Sequence, residues 1–447
     1  MQSFYEASVA GPAGRTTAYA PLAGRRSVDV CIMGGGLAGL STALGLAERG
    51  ITDVAVLEAE QVGFGASGRN GGFVFGGYSL DCADLLKTLG PARARELYAL
   101  TTDAVDLMRS RIQRYRIDCD VTDAGVILAN WFDEPARLDA QRRLMRDSFG
   151  VEWEPLTAAT LASQLKTSRY HGGLFERNAF HFHPLKYVLG VADAAAQAGV
   201  QIHEKSPVVR LARSGAQGDG AGFVVHTPQG VLEARHVVMA GGGYARNVYA
   251  RVERAVLPIA TYVMATEPLG ARLKEAMDTR AAVYDTRFAF DYYRPLPDTR
   301  ILWGGRISVR ERDPDSIARL LRGDLLKVYP QLHDVRIEYA WGGLMSYARH
   351  KMPQIGRSAD GVWHAVGFGG HGMAPTTVSG ELLAAAISGE RPVPDAFAAF
   401  GLTPAYGALG LAAAQLTYTA MQTRDALAAR RTSTRSTRSP RSPRSTP

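Results

Sequence analysis

The stretch from Val28 to Glu58, VDVCIMGGGLAGLSTALGLAERGITDVAVLE, constrains the fold more than any other part of the chain. An apolar, strand-like run from Val28 to Met33 meets Gly34-Gly35-Gly36-Leu37-Ala38-Gly39. An Ala/Leu-rich helix follows to Arg49, then a turn at Gly50 and a second strand, Val54 to Leu57, ending in Glu58. Each glycine has its own physical task. Gly34 turns the chain tightly out of the strand, Gly36 lets the backbone approach a pyrophosphate, and Gly39 lets helix and strand pack closely. The helix N-terminus offers unpaired N–H groups and the positive end of its dipole to the phosphates. Glu58, 22 residues after Gly36, stands where a carboxylate accepts hydrogen bonds from a ribose diol and repels a 2′-phosphate. Strand, glycines, helix, strand and acid in this order predict a dinucleotide site without preference for a phosphorylated ribose.

Three later stretches extend the pattern. Ala66-Ser67-Gly68-Arg69-Asn70-Gly71-Gly72 is glycine-dense with one arginine, and Val237 to Gly242 is an apolar strand running into glycines. The third, Gly367-Phe368-Gly369-Gly370-His371-Gly372-Met373, is a second strand-to-helix junction more than 300 residues after the first. NAD needs only the first βαβ unit, whereas FAD accounts for both junctions. One helix end takes the pyrophosphate, and the other faces the isoalloxazine edge that gathers negative charge on reduction. Between these pieces the texture changes to alternating strands. Pro258 to Thr266, Ala282 to Asp285, Phe288 to Arg294 and Arg300 to Ile307 read as an antiparallel sheet.

The expected fold class is therefore α/β (α+β overall): a Rossmann-like FAD-binding domain assembled from discontinuous segments, plus an antiparallel-sheet substrate domain. The boundaries read as an N-terminal arm at 1–27, FAD-binding segments at 28–85, 180–250 and 335–400, and substrate-domain segments at 86–179 and 251–334. A C-terminal helix at 401–429 and a disordered basic tail at 430–447 complete the chain.

Composition removes several function classes. The net charge of +8 includes six arginines in the last 18 residues, which leaves +2 on the remaining 429, so the folded body has no electrostatic case for nucleic acid. The Arg/Ser/Thr/Pro tail reads as a solvated, low-complexity extension in preference to an anionic-surface binder. Three cysteines without C-x-x-C spacing support neither a disulfide framework nor a zinc site, and fit a reducing cytoplasm. The N-terminal stretch lacks a signal-peptide pattern, and outside the Gly-rich βαβ unit no apolar run is long enough to form a transmembrane segment.

Taken together, Gly34 to Gly39 with Glu58, Ala66 to Gly72, and Gly369-Gly370-His371-Gly372 resemble the D-amino-acid-oxidase-type FAD-dependent oxidoreductases. Tyr292-Tyr293-Arg294, Trp303-Gly304-Gly305-Arg306 and Arg424-Asp425-Ala426-Leu427 look most like the γ-glutamylputrescine oxidoreductase branch. The resemblance reaches about residue 428. It implies an amine-oxidising flavoenzyme: hydride transfer from a C–N bond to flavin N5 gives an imine, which water hydrolyses. The expected cofactor contacts are Gly34, Gly36, Leu37, Ala38, Gly39, Glu58, Ala66, Ser67, Arg69, Asn70, Gly71, Gly72, Val208, Ala240, Gly241, Gly369, Gly370, His371, Gly372 and Met373. His371, Tyr292 and Tyr293 are the expected catalytic residues.

An aromatic pocket suits this chemistry, because hydride transfer needs dry, close positioning and no dedicated nucleophile. Tyr262, Phe288, Phe290, Tyr292, Tyr293, Trp303 and Trp341 are its candidates, while Arg294, Arg306, Arg349 and Lys351 are candidates for a substrate carboxylate. His181 and His183 lack a third ligand, so no metal is expected. Some relatives hold flavin through a late cysteine or an early histidine; here no Cys follows Cys119 and no His precedes His171, so FAD is expected to be non-covalent. The strand Arg300 to Arg306 carries no lysine of the kind that activates oxygen in some members, which leaves O2 and an electron carrier both open as acceptor. The substrate is expected to be a small-molecule amine, such as a polyamine conjugate or N-substituted amino acid. The alternatives are a flavin dehydrogenase of a hydroxy acid or polyol and, less favoured, a non-catalytic FAD-binding module.

Overall fold

Gly24–Met33 forms a strand whose last residues are apolar and buried, and Gly34 leaves it at φ +120°. A Cβ on Gly34 would stand 2.7 Å from Ala240 O, and one on Gly39 2.1 Å from Gly34 O. Only glycines let the Leu37–Glu48 helix fold back this closely onto its strand. The helix is buried from Leu37 to Leu46, so its sequence is apolar all round instead of striped. The Met373–Ile387 and Pro184–Gln197 helices pack against it. At the crossing with Met373–Ile387, a Cβ on Gly380 would come within 2.4 Å of Ser41 Cβ.

The structure is a computed structural model describing residues 2–10, 18–214 and 222–436. Its first sheet runs in the order Gln354–Arg357, Trp363–Val366, Gly230–Met239, Gly24–Met33, Val54–Leu57, Gln201–His203. All neighbours in that path are parallel except the first pair. Gly230–Met239 pairs with Gly24–Met33 along its length, from Gly24↔Gly230 to Met33↔Met239, and so brings Ala240 and Gly241 beside Gly34. A second eight-stranded sheet follows the order Ile337–Tyr347, Leu257–Thr266, Ile301–Ser308, Tyr292–Pro295, Ala282–Asp285, Val126–Ala129, Gly173–Glu176, Glu154–Leu156. It is antiparallel except where Ala282–Asp285 meets Val126–Ala129.

Several expected boundaries move. Ile337–Tyr347 pairs with Leu257–Thr266 in the second sheet, whereas the sequence places 335–400 in the FAD-binding part; the Gly342-Gly343 pair breaks the side-chain alternation that marks a strand. The Pro91–Arg114 helix, expected in the substrate domain, packs on Met373–Ile387. Its Leu97, Ala104 and Met108 share a core with Leu40 and Leu44. The strand expected over Phe288 to Arg294 is reduced to Tyr292–Pro295. Asp285 Oδ atoms accept from Arg287 N–H and Asp291 N–H and tie the preceding residues into a turn.

Within the N-terminal arm, Phe4–Val9 is a helix with a Ser3–Glu6 capping box, and Tyr5 is fully buried. The last helix spans Gly407–Ser436, so residues 430–436 of the expected disordered tail continue it. Residues 437–447 lie outside the described residues. Among the described residues no helix is long and apolar enough to cross a membrane.

Candidate active site

Between the two sheets lies a cavity of about 1220 Å³. It exceeds the ~300–1,000 Å³ of ordinary ligand pockets, leaving room for a dinucleotide and a second small molecule. Gly34, Gly36, Leu37, Ala38 and Glu58 line one end, with Ala66, Ser67, Asn70, Gly71, Val208, Ala240 and Gly241 beside them. Gly36 has no side chain to cap the Leu37–Glu48 helix. Ser67 Oγ accepts from Leu37 N–H at 2.9 Å, whereas Ala38 N–H has no acceptor among the described residues. An uncapped helix end facing a cavity is a site for an anion such as pyrophosphate. Glu58 accepts from Gly35 N–H at 2.7 Å and Glu60 N–H at 2.9 Å, one on each oxygen. Free lone pairs remain on both oxygens for a ribose diol. Burial pushes its carboxyl above the usual range, opposed by those two N–H groups.

Gly369, Gly370, His371, Gly372 and Met373 line the cavity as well. The Met373–Ile387 helix also starts uncapped, at Gly372. Met373 and Ala374 N–H have no acceptor among the described residues, and Pro375 has no N–H to offer. A Cβ on Gly369 would stand 2.4 Å from Ser79 Oγ, and the same hydroxyl accepts from His371 N–H at 3.1 Å. His371 Nε2 lies 3.2 Å from Phe75 O. Because a carbonyl only accepts, Nε2 carries the proton and Nδ1 is left as an acceptor. Burial holds the imidazole down at about 4, so it is neutral at pH 7.

The floor is aromatic. Tyr292 lies against Gly71 and Gly304, where Cβ atoms would stand 2.6 Å and 2.1 Å from its ring. Phe75 packs on Tyr284 at 5.4 Å and meets His371 edge-on at 4.3 Å. Phe290 bridges Tyr284 and Tyr292 at 5.8 and 6.2 Å. The last helix covers this floor: Tyr418 packs on Phe288 at 5.9 Å, and Asp425 accepts from Phe288 N–H at 2.7 Å.

Other expected residues stand elsewhere. Tyr293 is not in the cavity; it stacks on Trp303 at 4.4 Å in the core behind the sheet, its hydroxyl 3.0 Å from that of Tyr170. Adjacent strand residues point to opposite faces, so Tyr292 and Tyr293 cannot share one. Trp303 lies with Tyr293, Tyr262 donates to Arg310 O, and Trp341 Nε1–H donates to Arg69 O at 3.0 Å. Gly39 and Gly72 support the site without lining it: a Cβ on Gly72 would stand 2.1 Å from Phe182 O. Arg69 lines the cavity, but its guanidinium is occupied by Phe64 O, Gly342 O and Glu6. Arg294 is buried on Gly71 O, Phe182 O and Tyr5 OH, and Arg306 is paired twice with Asp324. Arg349 and Lys351 line the cavity and have no ion pair among the described residues. His181 sits on Arg280 O, and His183 accepts from Lys186 N–H; both are structural.

Sequence reasoning missed Phe75, Tyr284 and Tyr418 as cavity residues. Phe73-Val74-Phe75 directly after Gly71-Gly72 is the signal that could have found the first, because alternation places both rings on one side.

The FAD-dependent oxidoreductase family profile (DAO) matches residues 29–386. The γ-glutamylputrescine oxidoreductase of Escherichia coli is 35% identical over 395 residues, 88% of this chain and 90% of that protein. The sarcosine oxidase subunit beta of Rhizobium meliloti is 29% identical over 375 residues, covering 79% and 82%. Among solved structures, glycine oxidase from Geobacillus kaustophilus superposes with TM-score 0.69 at 22% identity, over 84% of this chain and 98% of that one. L-amino acid deaminase from Proteus vulgaris gives 0.70 at 17% identity, over 86% and 99%. Two uncapped helix ends opening into one cavity, and a family match across both, lead to one conclusion: the chain belongs to the DAO family of FAD-dependent oxidoreductases.

Proposed function

We propose that this enzyme oxidises a C–N bond of a small-molecule amine, a polyamine conjugate or an N-substituted amino acid, to an imine that water then hydrolyses. The observation that carries the reading is the aromatic floor of Phe75, Tyr284, Phe290 and Tyr292 meeting a neutral His371 at the second helix end. The activities named for the γ-glutamylputrescine and sarcosine relatives support it. Gly34, Gly36, Ala38, Glu58, Ser67 and the uncapped end at Met373 are the groups to hold FAD, whose chemistry is acceptance of two electrons from the substrate.

The protein's own part is positioning and proton control. The aromatic rings exclude water and orient an extended aliphatic chain. An amine reacts only when its nitrogen lone pair is free. His371 Nδ1, an acceptor on an uncharged ring, takes an N–H of the bound amine and orients its nitrogen, where a cationic ring would repel any ammonium precursor. The last helix closes the cavity over Phe288 and keeps competing water out. No cysteine carries the flavin in this reading: Cys82 lines the cavity, but burial raises its thiol to about 12, far from the reactive thiolate. Three free thiols accord with a cytoplasmic location.

Anaerobic titration of the purified yellow protein with a panel of amines tests the reading. Bleaching of the oxidised flavin, with imine-derived aldehyde or ammonia, is expected; no bleaching by any amine refutes it. Peroxide yield against dye reduction then separates O2 from a carrier as acceptor. Acid precipitation should release all the flavin into the supernatant, and colour retained in the pellet would contradict non-covalent binding.

A further inference from the structure

One carboxyl beside the cavity has no task in the reaction as described. Glu176 ends the strand Gly173–Glu176, with Val126 opposite it and Leu128 opposite Leu174. Alternation puts Glu176 on the face of Leu174. Leu174 belongs to the buried cluster that also holds Leu128, Tyr98, Met145 and Trp153, and the last three of these line the cavity. Arg177, the next residue, points the other way and pairs with Glu154. Glu176 therefore has no Lys or Arg partner among the described residues, although it lies within electrostatic reach of the cavity-lining Cys82, Tyr98 and Tyr284.

Two further observations mark the place as built for a ligand. Trp153 is 7% exposed, and its buried Nε1–H faces the Glu176 carboxyl from beyond ordinary hydrogen-bond distance, with no other acceptor among the described residues. Glu176 is also tied to the reaction end of the cavity. The Gly76 N–H faces its carboxyl and favours the ionised form, Phe75 O bonds His371, and Gly77 lies against Tyr98 and His371. Burial raises the carboxyl to about 7. Of the cavity's cations, Arg306 is neutralised by Asp324 and Arg287 by Asp285 and Asp291, and neither Arg349 nor Lys351 pairs with Glu176 among the described residues.

We propose that Glu176 anchors a second, unreacting ammonium group of an elongated substrate, at the end of the molecule remote from the nitrogen that is oxidised. The inference rests on the amine reading above and narrows it to diamine-type substrates. The chain between the nitrogens lies along Phe75 and Tyr284, and the ammonium restores the ionised carboxylate, which then accepts from Trp153 Nε1–H as well. The neighbouring rings add cation–π attraction.

The test compares α,ω-diaminoalkanes with 1-aminoalkanes of equal length on the holoenzyme and on Glu176→Gln. A charge-assisted hydrogen bond corresponds to a ~10- to 100-fold fall in the diamine-to-monoamine ratio of kcat/KM for the variant. A ratio that moves less than about tenfold overturns the assignment. Glu176→Asp supplies a second readout that misfolding cannot mimic: retracting the carboxylate by one methylene moves the preferred diamine to one methylene longer, and an unmoved optimum also counts against the assignment. If neither amine series reduces the flavin, the amine reading itself fails and this assignment with it. If both do and the ratio stays, only the role of Glu176 fails.

Discussion

Tyr292 and Tyr293 are neighbours in sequence with opposite fates, and the contrast is testable. Tyr292 forms cavity floor between Gly71 and Gly304, whereas the Tyr293 hydroxyl meets Tyr170 in the core. Tyr293→Phe removes one buried hydrogen bond and is expected to lower stability by about 1 kcal/mol, with kcat/KM held within a factor of two. Tyr292→Ala is expected to cost at least about tenfold in kcat/KM through lost positioning. Denaturant melts and steady-state kinetics on both variants check the pair. Glu176 makes a pH-dependent prediction. Its folded value of about 7 lies above the ordinary 4.5. Between those values the folded state holds a proton that the unfolded chain has released, so this group's contribution to stability falls as pH rises through the window and stays low above 7. Glutamine carries no such penalty. Relative to wild type, Glu176→Gln should therefore gain about 1–3 kcal/mol on going from pH 5 to pH 8, read as Tm of the holoenzyme at both values.

At the scale of elements, two helices that touch through small residues carry the two uncapped ends of the cavity. Gly380 stands where a Cβ would meet Ser41 Cβ at 2.4 Å, and Gly45 where one would meet Ala384 Cβ at 3.0 Å. Both helices begin uncapped at the cavity, so their spacing fixes the distance between the two helix ends proposed to hold the cofactor. Gly380→Ala forces them apart. The expected cost is ~1–3 kcal/mol of stability together with weaker FAD retention, measured as flavin lost on gel filtration. Full retention with an unchanged melt would show that the helices accommodate the methyl group.

Across the whole molecule, the cavity proposed for the cofactor is the joint between the parallel sheet and the antiparallel one. Gly34, Gly71, Ala240 and Gly370 reach the cavity from segments spread over most of the chain. Stripping FAD should therefore lower Tm, and adding it back at 100 times Kd should restore about 2.7 kcal/mol. Thermal scans across an FAD titration check this, with a concentration-independent Tm as the contrary result.

Short-range rules were enough for much of this. The Gly34 to Glu58 unit, the loop at Gly369 and the uncapped starts of two helices follow from local backbone needs, because only glycine permits those turns and approaches, and they were readable residue by residue. So was the alternation that separates Tyr292 from Tyr293, although residue type alone suggests both for the site. Other decisions came from contacts between residues distant in the chain. Arg69 and Arg294, plausible anion binders by residue type, are occupied by carbonyls and a carboxylate that no local pattern announces. Ile337–Tyr347 joined the second sheet because its long register with Leu257–Thr266 outweighs its glycines. Glu176 became a candidate anchor only when folding surrounded it with aromatic rings and left it without a cation. Sequence settles what one turn of backbone can do; which charges meet a partner, and which do not, is decided by packing in three dimensions.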